Sequence, residues 1–345
     1  MKKIFITILC SWMAHLNAQP IIVGFYNCEN FYDTTNQLHV IDEDFLPNSG
    51  KEYNSAAFEI KSKRIARVIL NMGLLDHAEG IGLMGLAEIE NKIVLNNLLE
   101  NPLIRKYHYK FIHFDSKDPR GVDVALIYNP LYFTPYQYKP VTLTDDTHFN
   151  NYATRDILYV KGLLNNIWVH ILVNHWPSRR GGESGSISKR IWAASICKKI
   201  IDSVQLTDPA AKFIVMGDFN DNPDNKSIQL LNLLNPFLPL YKKGMGSIAF
   251  RDSWNLFDQI LISPNWASSK SSETLPNPSA PPLPLNTLTY YKPIIYTNPD
   301  LIETQGKYRG YPKRTYDGDQ FRGGYSDHFP VALIFKAKNA EKPLK

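Results

Sequence analysis

The chain has 345 residues, 44% hydrophobic and 12% aromatic, with a formal charge of +5 and a pI near 8.8. That size suits one large or two ordinary globular domains and needs no disulfide framework, so three cysteines do not define a scaffold. No internal repeat points to a solenoid, and no segment beyond the N-terminus approaches the unbroken apolar length of a membrane span.

The first residues read as a targeting segment. Lys2 and Lys3 precede an apolar run from Ile4 to Met13, and Leu16, Asn17 and Ala18 end in a small residue before Gln19. This is the order of a secretory signal, with an apolar run too short to cross a bilayer. Residues 1–18 are therefore expected to be removed on export, leaving 19–345 as a single domain. The mature chain then carries about +3, having lost Lys2 and Lys3, which permits an anionic substrate without demanding one. Cys28 and Cys197 remain, and spacing alone does not say whether they pair.

From there the elements follow in order. Ile21–Tyr26 reads as a buried strand. Phe58–Met72 has Ile65, Val68, Ile69 and Met72 at helical spacing with Lys and Arg between them, the pattern of a surface helix. Ile81–Ala87 is a strand and Ile93–Leu99 a helix. Strands are expected at Tyr109–Phe114, Val122–Tyr128, Ile157–Gly162 and Ile167–Val173, close enough in sequence to favour antiparallel pairing over strict strand–helix alternation. Ser188–Val204 is the clearest helix. Phe213–Met216 is a strand, Ser227–Leu234 a short helix, and Gln259–Ile262 and Val331–Phe335 are closing strands. Residues 263–286, rich in Pro, Ser and Asn, read as a long surface loop within one mixed α/β domain.

Chemistry collects at the strand exits. Asn27 and Glu29 follow one strand, Glu88 ends another, His175 a third, Asp218 and Asn220 a fourth, and Ser326-Asp327-His328 leads into the last. Each residue alone has a plain structural reading: Glu88 as a turn carboxylate, Asn27 as a turn former, His175 as a hydrogen-bonded histidine, Arg155 as a surface arginine. Asp218 and Asn220 point to one face if their backbone is extended, and form an ordinary Asx-turn if it is not. Gly217 allows close approach of backbone to substrate. Two basic stretches, Ser178–Gly182 and Lys307–Tyr316, lie near these exits; the second interleaves cations with aromatics, as a strand-gripping rim does.

In sequence order, Asn27 with Glu29, Leu86-Ala87-Glu88, Asn174-His175-Trp176-Pro177, Gly217-Asp218-Phe219-Asn220, Trp254 to Asp258 and Ser326-Asp327-His328 resemble the endonuclease/exonuclease/phosphatase superfamily. That group includes deoxyribonuclease I, abasic-site endonucleases, inositol-polyphosphate phosphatases and bacterial sphingomyelinases. The likeness spans nearly the whole mature chain. It implies a four-layer α/β sandwich of two mixed, largely antiparallel sheets flanked by helices, with the site at its open end.

The resemblance also implies roles. Glu88 and Asp327, with Glu29 as a looser match, would hold a divalent cation, Mg²⁺ or Mn²⁺. Asn27 would hold the metal ligand or its water and take part in binding substrate. Asp218 would position or deprotonate the attacking water, and Asn220 would bind a phosphate oxygen. Asp258 would orient His328 and keep it cationic, and His175 would lie near the scissile phosphate, where abasic-site enzymes carry tyrosine. Arg155, Arg309 and Arg314 are candidate phosphate contacts. The implied activity is hydrolysis of a phosphodiester by activated water, with no membrane insertion and a monomeric enzyme. Nucleic acid is the first substrate read from the 307–316 stretch. A phosphatase or phospholipase of the same fold is the alternative, and a binding protein retaining the fold is the rival from another class. A glycosidase with paired carboxylates finds no support in the wider Asn, Asp and His set.

Overall fold

The computed structural model describes residues 19–145, 149, 152–179, 182–266 and 286–339. The expected signal, Arg180 with Gly181, and most of the proline-rich stretch lie outside them. Eleven long strands and three long helices build the body. They are β1 Ile21–Phe31, α1 Ser55–Met72, β2 Ile81–Ile89, α2 Lys92–Leu99, β3 Lys110–His113, β4 Asp123–Tyr128, β5 Phe133–Val141, β6 Ile157–Leu164, β7 Ile167–His175, α3 Glu183–Thr207, β8 Phe213–Asp218, β9 Asp258–Ile262, β10 Asn286–Ile295 and β11 Val331–Asn339.

Two sheets form, in the orders β10-β11-β1-β2-β4-β3 and β9-β8-β7-β6-β5. Only β1 with β2 and β7 with β8 run parallel; the other neighbours are antiparallel. The alternation of side chains along each strand explains the layering. In β8, Ile214 and Met216 enter the core between the sheets, while Phe213 and Val215 face α3. In β9, Ile260 and Ile262 do the first and Leu261 the second. Ala193, Ala194, Cys197 and Ile201 supply the face of α3 that covers this sheet, and Ile65, Val68, Ile69 and Met72 of α1 cover the other. Each such buried aliphatic contributes about 1.5–3 kcal/mol. The result is the four-layer sandwich implied by the motifs.

Both long helices after β1 and β2 are capped by asparagine. Asn54 accepts from the N–H groups of Ala56 and Ala57, and Asn91 from Ile93 and Val94. The cap at Asn54 starts α1 three residues before the apolar periodicity begins. Two strands were not expected, β5 and β10. They carry Pro135, Pro140 and Pro293, which suppress the sequence signal for a strand. Both are edge strands, where a missing N–H costs no ladder bond. The short helix after β8 is Lys226–Leu230, shorter than expected. Cys28 in β1 and Cys197 in α3 are both buried and both free, so they do not pair. Among the described residues no helix is long and apolar enough to cross a membrane.

Candidate active site

The parallel pairs deliver four strand exits to one end of the sandwich. Asn27 ends the regular part of β1, Glu88 that of β2, His175 ends β7 and Asp218 ends β8. The pairing sets Asn27 beside Ala87 and Asp218 beside both His175 and Asp258. At these exits the backbone turns left-handed. Glu29, Asn30, Glu88 and Asn220 have φ of 50, 53, 60 and 50°. The ladder breaks register between Asn27 and Phe31 and between Ala87 and Ile89. Such bulges re-aim a side chain at a small conformational cost, and they cluster at functional rims. The left-handed turn also decides the Asp218–Asn220 alternatives. Asn220 donates its N–H to Asp218 Oδ1 at 3.0 Å, an Asx-turn, and its Nδ2 to the Trp176 carbonyl at 3.1 Å.

Asp218 is the hub. Its Oδ2 accepts from Asn27 Nδ2 at 3.0 Å, a bond between the two sheets. The same oxygen lies 3.6 Å from His175 Nε2 and 3.9 Å from His328 Nε2. From this hub contacts run outward to both expected metal ligands: His175 Nε2 is 3.9 Å from Glu88 Oε1, and His328 Nε2 is 3.9 Å from Asp327 Oδ1. Behind His328, Asp258 Oδ2 faces Nδ1 at 2.7 Å and also accepts from Ser247 Oγ at 2.5 Å. Ser326 Oγ ties the loop to β1 by donating to the Asn27 carbonyl at 2.7 Å.

The two imidazoles experience opposite fields. Burial opposes a charge on His328, yet the carboxylates of Asp258 and Asp218 and the Asp258 hydrogen bond outweigh it, holding the group well above its usual range. His175 is pushed well below that range by burial, then by the positive charges of Arg155, Arg120 and His328. One ring is a cation at neutral pH and the other is not. Burial raises Asp218 to about 6, and the His328 charge restrains it.

The donor set suits a hard divalent cation. Glu88 Oε2 is occupied by the Asn30 N–H at 2.7 Å, while Oε1 faces His175 and, at 3.8 Å, Arg120, with no hydrogen bond. Asp327 is half-buried, with Oδ2 3.4 Å from Arg314. Glu29 is buried and pushed up to about 7, chiefly by burial and next by Asp327, although Lys61 and the Thr315 N–H offset part of this. Two acids that repel each other beside a cavity of about 230 Å³ form an oxygen donor set short of positive charge, which fits a divalent cation. Asp218, Asp258 and His328 also lie close enough together to share an ion. The His328–Asp258 hydrogen bond, the Ser247 bond to Asp258 and the Asn27 bond to Asp218 instead commit these groups to one another and to the protein, with His328 Nε2 3.9 Å from Asp218.

The remaining predicted residues are less free than their composition suggests. Arg155 is buried, donating to Asp118 Oδ2 at 3.1 Å and to the Trp176 carbonyl at 2.7 Å. Arg314 leans on Asp327 and on the Tyr308 ring. Arg309 is exposed and makes none of these contacts. Tyr316 packs on Tyr53 and Phe321 and is not open to stack on a base, while Tyr311, half-buried, is held by Asp252 and Trp254. Gly217 approaches Asn174 of β7 rather than a substrate; a Cβ there would lie 2.5 Å from the Asn174 carbonyl oxygen.

Three residues escaped the sequence reading. Lys61 sits among the charged residues of α1 that read as solvated, yet it is fully buried. Its Nζ donates to Thr315 Oγ1 at 2.5 Å and the Tyr325 carbonyl at 2.9 Å, and lies 3.6 Å from Glu29. Arg120 and Ser247 lie in loops with no motif around them.

Several solved structures superpose on nearly the whole chain. An endonuclease/exonuclease/phosphatase family protein from Bacteroides thetaiotaomicron has a TM-score of 0.56 at 14% identity, covering 94% of this chain and 100% of its own. A mannosyl-6-phosphatase from the same organism gives 0.54 at 14%, covering 91% and 99%. The human Nocturnin catalytic domain gives 0.51 at 14%, covering 92% and 95%. At such identity these likenesses establish the fold. No curated protein matches the sequence. The model of the Endonuclease/Exonuclease/phosphatase family matches residues 22–337, from the first strand to the last, and so takes in every exit described above. With that span and this fold, the chain belongs to the endonuclease/exonuclease/phosphatase family of metal-dependent phosphoesterases.

Proposed function

We propose that the chain is an exported, monomeric hydrolase of phosphoesters that works with Mg²⁺ or Mn²⁺. The observation that carries this reading is the convergence on Asp218 Oδ2 of Asn27 from one sheet and His175 from the other, with His328 from the loop before β11. Asp218 receives a proton from water as the water oxygen attacks phosphorus in line; the ester P–O bond on the opposite side breaks, the leaving oxygen takes a proton from solvent, and Asp218 returns its proton to solvent. His328, held cationic by Asp258, faces the negative charge that builds on the non-bridging oxygens. His175 is neutral and offers the leaving oxygen a hydrogen bond without adding charge. Asn220 is held by Trp176 beside it. A divalent cation bound by Glu88 and Asp327, with Glu29 behind them, supplies Lewis-acid neutralisation of the phosphate.

A nucleic-acid strand was the first substrate expected, and its main support was the 307–316 stretch. Arg314 is drawn to Asp327, Tyr316 lies in the core and Tyr311 bonds to Asp252, whereas Lys307 and Arg309 stay exposed with no ion-pair partner among the described residues. The commitment of the aromatic groups favours the alternative, a small phosphoester. One assay tests both levels: release of acid-soluble nucleotides, inorganic phosphate or phosphocholine from a substrate panel, with and without chelator. Hydrolysis of a small ester that chelator abolishes and Mg²⁺ restores is expected. Activity untouched by chelator would overturn the metal chemistry, and faster release from polynucleotide than from any small ester would restore the nuclease reading.

A further inference from the structure

Outside the catalytic rim, the loop between β3 and β4 begins and ends on metal-ligating residue types. His113 is the last residue of β3 and Asp123 the first of β4, with Asp115 two residues past the histidine. The His113 side chain is wholly buried, yet neither ring nitrogen has a hydrogen-bond partner among the described residues. Nδ1 faces Asp115 Oδ1 at 3.8 Å and Nε2 faces Asp123 Oδ2 at 3.7 Å, both beyond hydrogen-bond reach. Buried polar atoms are nearly always satisfied, so an imidazole bare at both nitrogens and set between two carboxylates points to a ligand.

We propose that His113, Asp115 and Asp123 bind a first-row divalent ion of the zinc type, and that this ion clamps the 114–122 loop. One imidazole with two carboxylates is a donor set that zinc accepts and that Mg²⁺, which takes oxygen ligands, does not favour. One donor atom from each residue already lies within 4.8 Å of the others. Ligands bound to a tetrahedral zinc stand about 3.3–3.6 Å apart. Closing on an ion therefore asks for a short inward swing, which Asp115 can supply because its side chain is 78% exposed. Burial pushes the His113 ring down to about 4, so it is already the neutral form that ligates. Burial also pushes Asp123 up to about 7, and Asp115 and Asp118 add repulsion that a cation would offset.

The loop between these ligands leads to the catalytic rim. Asp123 Oδ1 accepts from the Ser116 N–H at 3.0 Å, Ser116 Oγ from the Asp118 N–H at 3.2 Å, and Asp118 Oδ1 from the Arg120 N–H at 3.0 Å. Arg120 then stands 3.8 Å from Glu88 Oε1, and Asp118 bonds to Arg155. An ion that fixes both ends of the loop fixes where Arg120 stands beside Glu88. The site is nonetheless separate from that of the catalytic cation. The charges acting on His113 are those of Asp115 and Lys92, neither of them a catalytic residue.

The test strips the full chain with chelator, restores saturating Mg²⁺, and titrates in Co²⁺, a zinc substitute whose visible absorption reports its ligands. One equivalent should bind, and Zn²⁺ should displace it. His113→Gln and Asp115→Asn should each weaken Co²⁺ binding by about tenfold or more. Glu88→Gln, which removes a ligand of the catalytic cation, should leave it unchanged. Asp115 is exposed, so its variant keeps the fold and decides the question if the His113 variant does not. Bound Co²⁺ should also slow tryptic cleavage after Lys117, an exposed residue of the loop, severalfold. Binding that neither loop variant weakens overturns the proposal, whether or not Glu88→Gln abolishes it, as does the failure of Co²⁺ to bind beside saturating Mg²⁺. Cleavage equally fast with and without Co²⁺ overturns the clamp. None of these readouts needs turnover, so they stand apart from the fate of the phosphoesterase reading.

Discussion

Replacing Asp258 by asparagine isolates the charge on His328. The exchange keeps the shape of a fully buried side chain and removes the carboxylate that faces Nδ1 at 2.7 Å. A hydrogen bond to a charged partner contributes about 1.5–3 kcal/mol. At about 1.4 kcal/mol per pKa unit, His328 should fall by about 1–2 units. In the native chain its raised value keeps the imidazolium through neutral pH, and activity is lost as pH rises through that value. The alkaline limb of the variant should therefore move down by about 1–2 units. At neutral pH kcat should drop by about 10² or more.

Stability follows the same sign. A histidine raised on folding stabilises fully below its unfolded value and loses that contribution as pH rises through the folded one. The variant should thus be less stable on the acid side, by about 2 kcal/mol, with the gap narrowing as pH rises. The assay is kcat/KM for a chromogenic phosphoester across mildly acid to mildly alkaline pH at saturating metal, with an NMR titration of the His328 ring. An unshifted alkaline limb together with an unshifted ring titration would refute this coupling of Asp258 to His328.

Glu88→Gln should cut activity by orders of magnitude and raise the Mg²⁺ concentration needed to recover it; equal rates at limiting metal would remove Glu88 from the site. Glu29 binds its proton more tightly folded than unfolded, with a folded value of about 7. Metal-free protein should therefore lose stability, on the order of 3 kcal/mol, as pH rises from about 4.5 to about 7. Melting curves with and without Mg²⁺ check this, since a bound cation should flatten the slope. Cys28 and Cys197 should resist a thiol reagent until the protein unfolds, because burial pushes both thiols up, Cys28 to about 12; labelling of the native chain would contradict their placement. N-terminal sequencing of protein exported by its host should begin at Gln19, and an intact Met1 would refute export.

The interior strands were legible because each is a continuous apolar run buried on both faces, as Ile21–Tyr26 and Phe213–Met216 are. Edge strands announce themselves less. In Phe133–Val141 the prolines and exposed polar residues read as loop, and only the neighbouring strand makes them a strand. At the site, residue identity was readable but aim was not. The left-handed turns at Glu29, Glu88 and Asn220 leave no compositional trace, as they arise where ladders break against neighbours distant in sequence. Lys61 shows the limit most plainly. A lysine between Ile60 and Ser62 of a helix reads as solvated, and only the loop at Thr315 and Tyr325 folding over it turns it into a buried cation.

The strand order of the larger sheet has a consequence for how the molecule comes into being. β1 is flanked by β2 on one side and by β11 on the other. A chain synthesised or threaded N-terminus first therefore presents β1 with one edge bare until residues 331–339 arrive. Bare apolar edges invite pairing with other chains, and such long-range closure is slow. His328, three residues ahead of β11, reaches Asp258 and Asp218 at the same late moment. Catalytic competence and the sealing of the sheet are thus a single terminal event. A chain still short of its residues 331–339 is therefore both inactive and open to pairing with other chains.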